Sequence, residues 1–137
     1  MLFRSNLLGG TLFTTFAFNW AINYLTLKGL SEGQAPDPQV VLAVDGCFLV
    51  IFLVLTFAFG FFSKLLFAFL LDIDLLFACR IAREITHARA LGLPIALATV
   101  ALLGIALWLA FAVLVNSAAG RTVFAVPGPL FQPGPAR

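Results

Sequence analysis

Long stretches without charged residues limit this chain to few folds. Residues 5–27 and 90–120 contain no Asp, Glu, Lys or Arg, and each exceeds the roughly 20 residues with which a helix crosses about 30 Å of hydrocarbon. Only 10% of the 137 residues are charged and the mean hydropathy is +1.09, whereas a soluble domain carries about 25% charged residues. So few charges could not cover a water-facing surface, and the sequence therefore predicts an all-α integral membrane protein.

The segment between these stretches, residues 40–80, is too long for one crossing. As one helix it would extend about 60 Å, about twice the thickness of the hydrocarbon. One interpretation is a long middle helix that crosses the bilayer and projects from it, and the alternative is two helices that turn near residues 60–64 and give four spans. We favour the long helix, because FGFFSK has one Gly and no Pro or Asn and is a poor turn signal. The prediction is three transmembrane helices, near residues 7–27, 46–66 and 93–116.

The connecting segments predict which parts of the chain share a side of the membrane. Pro36 and Pro38 end the first helix and place an acidic loop before the second. Residues 80–89 carry three Arg and one Glu, and loops rich in Lys and Arg face the cytoplasm. We therefore expect residues 80–89 to face the cytoplasm or the mitochondrial matrix together with the N-terminus. The first loop and the C-terminus would then lie on the opposite side.

The chain divides into a single helical membrane domain, residues 1–120, and a tail rich in Pro and Gly, residues 121–137. The tail ends in VPGPLFQPGPAR, and its four prolines exclude a helix and favour an extended form that costs little entropy to immobilise. We expect it to lie along a partner subunit with Leu130 and Phe131 as apolar anchors. The alternative is a disordered tail, because terminal segments are often disordered.

Polar residues in the middle segment form the main candidate site. Lys64, Asp72 and Arg80 are eight residues apart and lie on nearly the same face of a helix. Asp74 follows Asp72 by two residues, so the two carboxylates point about 200° apart. We expect a stripe of ion-paired charges where the helix leaves the membrane. The alternative is a buried proton relay, because intramembrane carboxylates often mark functional sites.

A second group of residues is typical of the membrane interface. Trp20 and Tyr24 are one turn apart near the end of the first span and are expected to anchor it among the headgroups. Arg83, His87 and Arg89 are expected to lie in the polar segment before the last span. Cys47 and Cys79 lack metal-ligand spacing and are predicted to be small packing residues.

One stretch resembles a known family. FAFLLDIDLLFA, residues 67–78, is similar to the second-helix signature of NADH–ubiquinone oxidoreductase chain 3, a three-span subunit of respiratory complex I. That signature is an apolar run followed by Phe-Asp-Leu-Glu, so Asp74 stands where the family has Glu. Cys47 lies at an offset comparable to that of a reactive cysteine in the family's first loop. The resemblance implies a core subunit of a proton-translocating complex.

The function predicted from the sequence is structural. We expect no catalytic, cofactor-binding or metal-binding residues in this chain alone, and structural phospholipid is a possible ligand. The prediction is a non-catalytic assembly subunit of a multi-subunit respiratory electron-transport complex. Its partners would be other membrane subunits and the lipid bilayer, not nucleic acid, in the mitochondrial inner membrane rather than a bacterial inner membrane or thylakoid. The alternatives are a core complex I subunit resembling chain 3 and a self-associating small channel or transporter.

Overall fold

The computed structural model describes residues 2–132, and all regular structure in that range is helical. The helices are α1 (Leu2–Ser31), α2 (Pro38–Gly60), α3 (Lys64–Thr86) and α4 (Gly92–Ala119), with a short 3-10 turn at Arg89–Leu91 before α4. The prediction of an all-α protein is therefore confirmed. The predicted break at the prolines is also confirmed, since α2 begins at Pro38 and the side chain of Asp37 caps it by accepting from the Gln39 N–H at 2.9 Å.

The predicted long middle helix is wrong. The chain leaves the helical path after Gly60 and re-enters it at Lys64, so the predicted span at 46–66 crosses a turn. Ser63 is the cause on the α3 side, because its backbone is extended and its hydroxyl accepts from the Leu65 N–H at 3.2 Å. A serine before a helical run is an N-cap signal. This signal places a helix start at Lys64 even though the segment FGFFSK contains no Pro or Asn. The alternative of two helices joined by a turn is the one that the structure has.

The tail folds back over this turn. The backbone N–H groups of Leu130 and Phe131 both donate to the carbonyl of Gly60, at 2.8 and 3.0 Å. The backbone N–H of Lys64, at the start of α3, donates to the carbonyl of Gly128 at 2.9 Å. These bonds supply partners to groups that helix ends leave unpaired. The tail therefore stabilises the turn between α2 and α3.

The start of the tail is fixed by the end of α4. The Asn116 Oδ1 accepts from the backbone N–H groups of Val123 and Phe124 at 2.7 and 2.9 Å, and the Asn116 Nδ2 donates to the Phe124 carbonyl at 2.8 Å. The ring of Trp108 meets that of Phe124 edge to face at 5.3 Å. The tail up to residue 132 has no helix or strand, as predicted. Residues 133–137 lie outside the described residues, and docking on a partner stays a prediction.

The core lies between α2 and α3 and consists mainly of phenylalanine. Phe77 of α3 stacks on Phe52 and Phe48 of α2, with ring centroids 5.6 and 5.9 Å apart. Helix α1 covers this stack with Phe16, whose ring is 5.2 Å from that of Phe52. Leu70 and Phe52 are fully buried. Each such side chain contributes about 1.5–3 kcal/mol through burial, so the hairpin of α2 and α3 is the best-packed part of the molecule.

The fourth helix changes which segments share an end of the bundle. Asp45, near the start of α2, meets Arg80, near the end of α3, so the two helices are antiparallel. The loop at 32–37 and the connection at 87–91 therefore lie at one end, and the turn at 61–63 lies at the other with the tail. The prediction that the first loop and the basic segment face opposite sides is wrong for this arrangement. It assumed one crossing where the chain makes two antiparallel helices.

Two helical segments among the described residues are long and apolar enough to cross a membrane. They are Pro38–Gly60 and Arg89–Ala119, and only 28% and 11% of their most apolar stretches are buried within the protein. Core helices of soluble proteins are mostly buried, whereas α4 exposes large apolar side chains along most of its length. This pattern supports membrane association. Helices α1 and α3 contain more polar residues and are not apolar enough along their length to be counted with these two. Three spans are therefore not confirmed.

Candidate functional site

Asp74 projects from the middle of α3 into the contact with α2. Its side chain accepts a hydrogen bond at its Oδ2 from the Thr56 hydroxyl at 2.7 Å, and both residues are buried. The Asp74 Oδ1 is also buried but has no partner among the described residues. The carboxyl group is therefore half satisfied in an apolar setting, which is costly for a charged group. Such a site holds either a proton or a donor supplied from outside the chain.

Asp72 lies beside Asp74 on the same groove. The groove runs between α2, α3 and α4 and has a volume of about 710 Å³. Its walls are apolar and include Leu49 and Leu53 of α2 and Ile105 of α4. The Asp72 Oδ2 is buried and has no hydrogen-bond partner within the described chain. Both aspartates therefore line one apolar groove, although the helical spacing predicts that their side chains diverge.

A second polar cluster lies at the end of the bundle that holds the loops. The Arg80 Nη2 is 3.1 Å from the Asp45 Oδ1, and the guanidinium also lies 5.5 Å from the centre of the Phe77 ring. Asn19 and Asn23 of α1 line the same small cleft. The ion pair joins α2 to α3, and the amides of α1 bond to each other beside it, from Asn23 Nδ2 to Asn19 Oδ1 at 3.3 Å. Interhelical contacts of this kind fix the register of helices whose other contacts are apolar.

The predicted stripe is not one unit in the structure. Arg80 pairs with Asp45 of α2, and Lys64 is exposed at the start of α3. Among the side chains that the structure describes, residues 7–132, neither Asp72 nor Asp74 forms an ion pair. The expectation that ion pairs or partner contacts hold the two aspartates stays a prediction.

Two residues of these sites were missed from the sequence. Asp45 is not among the predicted site residues; α2 begins seven residues before it and buries it against α3. Thr56 lies within an apolar run and carries no sequence signal of its own. A charge near each end of the 40–80 segment, Asp45 and Arg80, was the signal that could have indicated an antiparallel hairpin. Two antiparallel helices place the two ends of such a segment side by side.

The residues predicted for the membrane interface have exposed side chains. Trp20 and Tyr24 are 70% and 65% exposed on α1, as suits an interfacial anchor. His87 follows α3 as its C-cap in the left-handed conformation, with φ 53°. Its backbone N–H donates to the Arg83 carbonyl. Arg89 opens the short turn before α4. These positions are compatible with the interfacial role, which stays a prediction.

The hydroxyl of Thr56 provides a direct test of the buried carboxyl. Thr56→Val keeps the shape of the side chain but removes the one hydrogen bond that Asp74 receives. We expect the free energy of unfolding to fall by about 1 kcal/mol. The measurement is unfolding in mixed micelles with rising dodecyl sulfate. Thr99→Val is the matched control, because the Thr99 hydroxyl bonds only to a carbonyl of its own helix. Equal effects of the two substitutions would contradict the role of the contact.

Comparisons with known proteins give no relative for this chain. No family model, no curated protein and no solved structure matches it. The resemblance to complex I chain 3 therefore stays a prediction. In the structure Cys47 lies within α2 as a free, exposed thiol, and Cys79 within α3 is also free. Asp72 and Asp74, which carry the resemblance, lie in the middle of α3.

Proposed function

We propose that this chain is a non-catalytic structural subunit of a larger membrane assembly, embedded through four helices. One observation carries the proposal. The chain buries few apolar side chains but exposes many large ones on every helix, so its helix faces need lipid or other subunits. Stacked Phe48, Phe52 and Phe77 occupy much of the space between α2 and α3, which leaves little room for a polar path there. A single copy is thus better suited to packing than to transport.

The host that we propose is a respiratory electron-transport complex of the mitochondrial inner membrane. The support is general, since energy-converting membrane complexes contain many small apolar subunits of this kind. Structural phospholipid would fill the open clefts between helices. One such cleft lies between α1 and α2, has a volume of about 570 Å³ and is almost wholly apolar, with Phe18 and Ile51 in its walls.

The test is the size and composition of the native assembly. Membranes are extracted in mild detergent, and the particle that contains this 14.7 kDa chain is separated on a native gel and identified by mass spectrometry. We expect several unlike membrane chains and redox cofactors in the same particle. A particle built only of this chain would favour the self-associating channel instead. A monomer would contradict both functions.

The four-helix arrangement predicts that Ser31 and Thr86 are on the same side of the membrane. They end α1 and α3, which both finish at the loop end of the bundle. Ser31→Cys and Thr86→Cys, in a chain whose Cys47 and Cys79 are replaced by Ala, should react with a membrane-impermeant maleimide from one side. Arg121→Cys, at the opposite end, is the control and should react only from the other side. Labelling of the first two from opposite sides would show that the chain does not cross four times.

A further inference from the structure

Two carboxyl groups in the middle of α3 have no cation within the described part of the chain. Arg80 is engaged by Asp45 at 3.1 Å, and Lys64 is ten residues from Asp74, about 15 Å along the helix axis. Helix α4, which forms one wall of their groove, contains no charged residue between positions 92 and 119. Asp74 is only 5% exposed, and its unpartnered Oδ1 belongs to a residue that lines the groove. The groove is thus apolar over most of its surface, and two aspartates lie on its α3 side with an unpartnered oxygen each just beneath that surface.

The shape of the groove suits a helix. Its floor is one face of α3, where Ala68, Asp72, Leu75 and Ala78 follow each other at spacings of four, three and three residues. This floor is about 15 Å long, or three helical turns. Alanine at both ends of it allows another helix backbone to come close. Helices α2 and α4 form the sides, so an incoming helix would contact three helices at once.

We propose that this groove seats a transmembrane helix of a partner subunit that carries a Lys or Arg near its middle, and that this cation pairs with Asp72 and Asp74. The inference deepens the proposed function and rests on it, because it names the chemistry of the partner. Charge complementarity selects this occupant. Acyl chains of lipids offer no donor to two carboxyl groups, whereas intramembrane charges are usually paired with opposite charges on neighbouring helices.

The position of the two aspartates along α3 predicts where the partner helix carries its cation. Asp72 and Asp74 are the ninth and eleventh residues of the 23-residue α3, so a matching cation lies near the centre of its own span. The long stem of Lys or Arg allows the charged group to reach past apolar side chains. A cation near the end of a span would instead be expected to remain among the headgroups.

The experiment uses the full chain in lipid nanodiscs and a synthetic helix as the probe. The probe is a 21-residue Leu/Ala transmembrane peptide, of about the length that spans a bilayer, with Lys at its centre, and the control peptide has Leu at that position. Binding is measured by energy transfer between a dye on Arg121→Cys and a second dye on the peptide. Cys47 and Cys79 are replaced by Ala in this chain. The chain variants are Asp72→Asn with Asp74→Asn, and Glu32→Gln as the matched control that removes an exposed charge at the loop end.

We expect the Lys peptide to bind the unaltered groove about threefold to twentyfold more tightly than the Leu peptide, the range of polar contacts between helices in membranes. The double Asn variant should lose this preference and Glu32→Gln should keep it. Ala78→Trp should also abolish the preference for the Lys peptide. The indole would fill the groove floor from an exposed position, while both carboxylates stay in place. Helix content by circular dichroism confirms that each variant is folded.

Three results would overturn the inference. One is the absence of any preference for the Lys peptide, and another is a preference that survives in the double Asn variant or in Ala78→Trp. The third is carboxylate-dependent binding of octadecylamine without binding of the Lys peptide, which would assign the groove to an amphiphilic amine. The probe is supplied, so this outcome does not depend on the native assembly. Failure of the proposed function would instead appear as the lack of unlike chains in the native particle.

Discussion

Arg80→Gln is expected to lower the free energy of unfolding by about 3 kcal/mol. The substitution leaves the Asp45 carboxylate without its cation, and the Asp45 side chain is only 7% exposed. Breaking a buried ion pair from one side costs about 3–5 kcal/mol, because the remaining charge is uncompensated. We expect the lower end of this range, since Arg80 itself is 28% exposed and Asp45 can take up a proton. The measurement is unfolding in mixed micelles with rising dodecyl sulfate, followed by tryptophan fluorescence.

Two further variants separate the ion pair from a general loss of charge. The double variant Asp45→Asn, Arg80→Gln should regain most of the stability, because two neutral amides leave no buried charge. Arg83→Gln removes the same charge three residues later on α3. Arg83 forms no ion pair within residues 2–132, so its replacement should change stability by less than about 0.5 kcal/mol. If Arg83→Gln were as harmful as Arg80→Gln, the Asp45–Arg80 contact would not be what stabilises the hairpin.

Gly60→Ala is expected to release the tail from the turn between α2 and α3. A Cβ at Gly60 would overlap the ring of Phe131 and would lie 3.2 Å from the ring of Phe67. Overpacking of this kind costs about 1–3 kcal/mol, and releasing the tail relieves it with less loss than separating the helices. Trypsin cleavage after the exposed Arg121 then reports the released state. We expect cleavage about fivefold to thirtyfold faster than in the unaltered protein, the factor that 1–2 kcal/mol produces.

Gly104→Ala is the matched control for the same substitution. A Cβ at Gly104 meets nothing within 4 Å, and alanine is the better helix former, so cleavage after Arg121 should stay at the rate of the unaltered protein. Phe131→Ala should release the tail even with Gly60 in place, because the Phe131 ring packs tilted against Phe61 at 5.2 Å and edge to face against Phe67 at 5.8 Å. Unchanged cleavage in Gly60→Ala would mean that the ring moves aside while the tail remains bound.

Much of the helical architecture could be predicted from the sequence because its causes are local. The uncharged runs at 5–27 and 90–120 indicate helices that seek an apolar environment, and the structure has α1 and α4 there. The break before Pro38 follows from the missing N–H and fixed φ of proline. The absence of helix and strand from the tail up to residue 132 follows from the same property of its prolines. Each of these features depends on residues within a few positions of each other.

The turn at residues 61–63 and the candidate site depended on contacts between distant residues. Gly60 and Ser63 are weak signals alone, and the turn is completed by the tail, in which Phe131 packs on it from 71 positions further along the chain. A helical spacing of two residues places Asp72 and Asp74 on divergent faces, yet α2 and α4 enclose both in one groove.

The sequence by itself thus determined that the chain is helical and apolar, because hydropathy and proline geometry act locally. Only the tertiary structure decided which carboxylate has a partner. Asp45 meets Arg80 and Asp74 meets Thr56 because α2 and α3 pack antiparallel, whereas the buried oxygen of Asp72 receives no hydrogen bond from the described residues. The charge of an aspartate is a property of the residue, but its compensation depends on the helix that packs against it.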